Sequence, residues 1–140
     1  MENFTPYPID FDASESEFDM LGDVRAGFPS PADDMHERLD LVKLLVRHPA
    51  STFFFRISGT SMVDASLDEG DIIIVDKSLE PHDGSIAVCY IDGEFTVKRV
   101  VRTKQGFSLQ PANESYPIIN ITEQNNFIVW GIVTYVIKKV

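Results

Sequence analysis

Polar and apolar positions change rhythm once along this chain, near residue 50. Before that point Met35, Leu39, Val42 and Leu45 recur at helical spacing, with Asp33, Asp34 and Glu37 at the start and Lys43 and Arg47 near the end. This pattern predicts a helix over 33–46, stopped by Pro49. Beyond it, runs rich in Val, Ile and Phe at 53–58, 71–76, 85–91, 94–101, 107–110 and 127–137 predict strands, because such residues fit a pleated, half-buried surface. Asp92-Gly93 between two of these runs is a hairpin signal, and turn clusters at 68–71 and 82–85 and a loop at 113–117 separate others. Six short strands after one short helix predict a mainly β protein, compact and strongly bent.

Residues 1–31 read differently. Pro6, Pro8, Pro29 and Pro31 interrupt any helix, and acids are dense, yet Phe4, Phe11, Phe18, Met20, Leu21 and Val24 supply apolar points for docking. The expected organisation is an extended acidic arm over 1–31, followed by a β domain over 32–140.

Composition sharpens this picture mainly through charge. Of the formal net charge of −10, residues 1–40 carry −9 and residues 41–140 only −1. An acidic front end argues against direct sequence-specific binding to DNA and suits solubility or docking on a basic protein surface. No apolar run approaches the ~20 residues needed to span a bilayer, so no membrane association is expected. Cys89 is the single cysteine and lies in an apolar run, which predicts a buried inert thiol and no disulfide framework. His36 and His48 are expected at the surface or ends of the helix and His82 in a turn, none of them in a metal cluster. No cofactor is expected, and the location expected is the cytoplasm.

The candidate chemistry lies in Ser58-Gly59-Thr60-Ser61-Met62 and, 37 residues beyond Ser61, in Lys98 of Phe95-Thr96-Val97-Lys98-Arg99. A serine hydroxyl needs a base to take its proton, and a lysine serves when burial keeps its amine neutral. Thr96 and Lys98 are two apart on one strand and share a face, so Thr96 is placed to aim the amine. The glycine turn is expected to expose the Ser61 hydroxyl. Taken singly, a Ser-Gly-x-Ser turn and a strand lysine are ordinary surface features.

The ordered set of segments changes that weighting. Ser58–Met62 is followed by Glu69-Gly70-Asp71-Ile72-Ile73-Ile74-Val75-Asp76, Gly84-Ser85-Ile86-Ala87-Val88, Gly93-Glu94-Phe95-Thr96-Val97-Lys98-Arg99-Val100, Leu109-Gln110-Pro111-Ala112-Asn113 and Trp130-Gly131-Ile132-Val133-Thr134-Tyr135. In this order the chain resembles the LexA/UmuD self-cleaving serine peptidases, most closely their UmuD/MucA-type SOS mutagenesis branch, over roughly residues 20–140. The resemblance implies Ser61 as nucleophile, Lys98 as general base and a scissile bond between Ala26 and Gly27 in the arm. It further implies a homodimer, stimulation by a RecA–single-stranded DNA filament, and a cleaved dimer that joins a UmuC-type Y-family DNA polymerase subunit in translesion synthesis. A LexA-like repressor is disfavoured, since the acidic residues before the first predicted strand offer one helix and no DNA-reading pair. A signal peptidase would need a membrane anchor. The rival of another class is a non-enzymatic dimeric adaptor with the same β fold.

Overall fold

The computed structural model describes residues 6–8, 17–27 and 37–140. They fall into two units, one made of 6–8 with 48–140 and the other of 17–27 with 37–47. The expected division at residue 31 lies in a stretch outside the described residues.

In the smaller unit β2 (Glu17–Met20) pairs antiparallel with β3 (Glu37–Asp40), placing Phe18 opposite Leu39 and Asp19 opposite Arg38. Arg38 donates to Asp19 at 2.7 Å across the exposed ladder. The chain then turns directly into α1 (Leu41–Leu45). Of the helix expected over 33–46, 33–36 lie outside the described residues, and among the rest it is corrected to Leu41–Leu45. Apolar spacing over one or two turns does not separate helix from strand, and Asp40 decides the boundary. Its backbone is extended (φ −93°, ψ 109°) while its carboxylate accepts from Lys43 N at 3.2 Å, an N-cap that starts the helix four residues after the strand begins.

The larger unit is one eight-stranded antiparallel sheet in the order β1-β4-β5-β10-β6-β7-β8-β9. Its strands are β1 (Pro6–Pro8), β4 (Thr52–Arg56), β5 (Ile72–Asp76), β6 (Ile86–Ile91), β7 (Glu94–Thr103), β8 (Gly106–Gln110), β9 (Ile119–Asn120) and β10 (Phe127–Ile137). The six expected strands are all present, each end within two residues of the predicted one. β1 and β9 join as short edge strands, and β1 pairs Tyr7 with Phe54. At the β6–β7 hairpin Asp92 (φ 49°) and Gly93 (φ 89°) are both left-handed, as a two-residue turn matched to strand twist requires.

Strand alternation builds a core on each face of the sheet. Val88 and Val97 join Phe55, Ile57, Met62, Leu67, Ile73 and Val75, whereas Ala87 and Cys89 join Val100, Leu109 and Ile132. Trp130 packs against the first core, and β10 bulges beside it, its register against β6 shifting between Val129 and Gly131. Its ring meets Phe53, Phe55 and Phe95 edge-on at centroid distances of 5.3, 5.1 and 6.0 Å. Close approach of β5 leaves no room beside the bulge: a Cβ at Gly131 would lie 2.6 Å from Val75 Cγ1.

Candidate active site

Lys98 stands in the middle of β7, opposite Ala87 of β6, with Thr96 opposite Cys89. Small partners across the ladder leave room on this face, and Lys98 is only 6% exposed. Its Nζ lies 2.9 Å from Ser61 Oγ, 2.8 Å from Thr96 Oγ1 and 3.1 Å from the Val97 carbonyl. A protonated amine can donate to all three oxygens. A neutral amine can donate to Thr96 and Val97 and turn its lone pair toward the serine hydroxyl. Thr96 and the strand's own carbonyl thus aim the amine at Ser61 in either state.

Ser61 reaches this point by a turn rather than a strand. β4 ends at Arg56, and Ile57 still bridges to the next segment, donating to Asp71 O at 2.8 Å and accepting from Gly70 N at 2.8 Å. Gly59 (φ 98°) then reverses the chain through a conformation that costs a side-chain-bearing residue about 1–2 kcal/mol. Met62 drops into the core at 1% exposure, and its carbonyl accepts from Ala65 and Leu67 N as a short 3-10 turn forms. This anchoring overturns the expected exposure of the hydroxyl: Ser61 is itself 1% exposed, because its neighbour is a core residue and not a loop tip.

Beside the pair is a cleft of ≈ 250 Å³, lined by Ser61 and Lys98 and, on its apolar side, by Phe95, Tyr116, Pro117 and Ile119. Apolar walls weaken hydration of the amine and strengthen electrostatic interactions at the hydroxyl. Cys89, on the same face as Lys98, is fully buried. Burial pushes its thiol up to about 12, against the opposing pull of the nearby Lys98 charge, so it is not a rival nucleophile at neutral pH.

The other expected residues fall elsewhere. Ala26 and Gly27 belong to the smaller unit, in an exposed irregular stretch after β2 where Gly27 has φ 113°. His82 sits in a turn, its carbonyl accepting from Ser85 N, and His36 lies outside the described residues. His48, Ser51 and Asp76 do meet, but in the wrong order for a catalytic triad. His48 Nδ1 and Ser51 Oγ each contact the Asp76 carboxylate, at 2.6 and 2.9 Å, so the carboxylate stands where a base would have to bridge to the serine. Burial disfavours the Asp76 charge, yet hydrogen bonds from Ser78, His48 and Ser51 outweigh it and hold the carboxyl at about 2. Among the described residues no group of three or more His, Cys, Asp or Glu side chains could hold a metal ion, and no helix is long and apolar enough to cross a membrane.

Sequence patterns alone do not reveal the cleft wall. Tyr116 and Pro117 lie in a segment that composition marks only as a loop, and no spacing rule relates them to a serine some 50 residues earlier.

Comparison with known proteins places the chain in a family. Residues 19–134 match the Peptidase S24-like family. The chain is 42% identical over 114 residues to protein MucA of Salmonella typhimurium, an alignment covering 80% of this chain and 77% of that one. It is 45% identical over 115 residues to protein SamA of Salmonella typhimurium strain LT2, covering 81% and 79%. A LexA repressor from Delftia acidovorans is 32% identical over 120 residues, which cover 86% of this chain but 54% of the repressor. With most of its length matched by the family and by these relatives, the chain belongs to the peptidase S24-like family of self-cleaving serine peptidases, as a UmuD/MucA-type member.

Proposed function

We propose that Ser61 and Lys98 form the catalytic dyad of an autoproteolytic reaction that cuts the Ala26–Gly27 bond. The observation that carries this reading is the 2.9 Å approach of Lys98 Nζ to Ser61 Oγ in a buried, largely apolar cleft. Neutral Lys98 takes the Ser61 proton as Oγ attacks the Ala26 carbonyl carbon. The resulting ammonium returns that proton to the Gly27 nitrogen as the peptide bond breaks, leaving Ala26 esterified to Ser61. Water, deprotonated by the same amine, hydrolyses the ester and frees the serine. Glycine after the bond lets the backbone approach Oγ without a side chain between them, and alanine before it suits a tight site.

On the same reading, residues 1–31 form the acidic arm that holds the cleavage site and 32–140 the peptidase-like domain, and the protein works as a homodimer in the cytoplasm. A RecA–single-stranded DNA filament stimulates cleavage by raising the population in which the arm occupies the cleft, which needs no new catalytic group. The shortened dimer then serves as accessory subunit of a UmuC-type Y-family polymerase in error-prone translesion synthesis. Removal of residues 1–26 leaves a formal charge of −4 on 27–140, a far less acidic chain for a partner to meet.

The test is unaided self-cleavage of purified protein, followed by intact mass. A new N-terminus at Gly27 is expected, with a first-order rate that climbs as pH rises from neutral toward about 10, because only the neutral amine accepts a proton. Ser61→Ala and Lys98→Ala should be inactive, and Lys98→Arg likewise, since guanidinium stays charged. Gly27→Glu should block the reaction. An active Lys98→Ala with a flat pH profile would leave a non-enzymatic adaptor as the better account.

A further inference from the structure

We propose that Asn113 and Tyr116 are positioning residues, holding the backbone of the nucleophile turn so that Ser61 meets Lys98. The inference rests on the assignment of Ser61 as nucleophile. Lys98 is placed by the β7 ladder, with a partner strand on each side, whereas Ser61 lies on an irregular turn with no ladder of its own. Something outside the sheet must therefore set the second half of the 2.9 Å distance.

The loop after β8 does this from both sides of Ser61. Before the serine, Asn113 Nδ2 donates to the Thr60 carbonyl at 2.8 Å, and the Thr60 and Tyr116 hydroxyls meet at 3.0 Å. After it, Asp64 N donates to Ala112 O at 2.7 Å, and Ala112 N lies 3.3 Å from the Met62 sulfur. The loop is itself braced, since Asn113 Oδ1 accepts from Ser115 N at 2.9 Å and the Asn113 carbonyl accepts from Tyr116 N at 3.1 Å. One end of the Asn113 amide thus fixes its own loop and the other fixes Thr60, while Tyr116 both touches Thr60 and walls the cleft.

The Asn113–Thr60 and Tyr116–Thr60 bonds lie near solvent, where water competes, so each contributes little to folding stability. Their effect on rate is larger, since a displacement of about 1 Å at a reacting atom can cost up to about 100-fold. Tyr116→Phe keeps the apolar wall and removes one hydroxyl contact; a net loss of roughly 1 kcal/mol corresponds to about fivefold in rate. Asn113→Ala should slow cleavage by roughly ten- to 100-fold. Asn113→Asp has the same size and still accepts from Ser115, but an ionised carboxylate cannot donate to Thr60 and repels its carbonyl.

The experiment measures the self-cleavage rate of full-length protein across pH, with thermal melting of each variant and Ser61→Ala alongside. The expected result is melting close to wild type, rates lowered in Asn113→Ala and equally in Asn113→Asp, and log-rate profiles that fall in parallel without moving along the pH axis. Combining Asn113→Ala with Tyr116→Phe should cost less than the two separate losses together, because both act through Thr60. Wild-type rates in folded Asn113 variants, or a wild-type rate for Asn113→Asp alone, would overturn the proposal. So would a profile displaced along the pH axis, which would mean that the loop acts on Lys98 instead. An active Ser61→Ala sinks the nucleophile assignment itself, whereas an inactive Ser61→Ala beside fully active Asn113 variants sinks only the positioning role.

Discussion

Replacing Asp76 by Asn tests how the unit carrying Ser61 and Lys98 responds to acid. Asp76 is 4% exposed at the end of β5, where Ser51, Ser78 and His48 converge on its two oxygens. Its carboxyl titrates at about 2 in the folded chain against an ordinary value of 3.8. At about 1.4 kcal/mol per pKa unit, this is worth about 2 kcal/mol of folding free energy. The sign follows from the depressed value: the contribution is fully present above pH ~4 and is lost as pH falls through ~2, when the folded state too takes up the proton. About half remains at pH ~3. Urea unfolding of wild type and Asp76→Asn at pH ~5, ~3 and ~2 isolates this contribution, because the other carboxyls titrate in both proteins. The gap between the two should shrink by about 2 kcal/mol between pH ~5 and pH ~2. A gap that stays constant across this range would refute the claim that these hydrogen bonds stabilise the charged form.

Two further perturbations probe packing around the site. Gly131→Ala forces a methyl against Val75 inside a filled core and should cost about 1–3 kcal/mol in urea unfolding, with Ser61 and Lys98 untouched. Cys89, fully buried and with its thiol pushed up to about 12, should resist a thiol reagent at pH ~8 in the native protein and react once denaturant opens the sheet. Rapid native labelling would show that the face carrying Lys98 is open to solvent.

Much of the sheet was legible because its cause is local. Ile86–Ile91 and Glu94–Thr103 announce themselves by β-branched runs around Asp92-Gly93, and a two-residue left-handed turn fixes their register, which in turn sets Lys98 opposite Ala87. The pairing of Thr96 with Lys98 on one face likewise follows from a period of two. By contrast, 33–46 misled, because Leu39 fits a helix by spacing and a strand by its pairing with Phe18, and only the capping geometry of Asp40 separates the two.

The sequence by itself determined which residues carry chemistry-capable groups, where the chain turns, and that a serine after a glycine and a lysine on a strand stand in family order. Tertiary structure decided what no local rule contains. It inserted β10 between β5 and β6, and gathered Trp130 with Phe53, Phe55 and Phe95. It buried Ser61 by anchoring Met62, and it brought a loop from beyond β8 against Thr60. Each of these joins residues tens of positions apart. Their cost in chain entropy is recovered only when the whole sheet closes around them, so neither periodicity nor composition can announce them in advance.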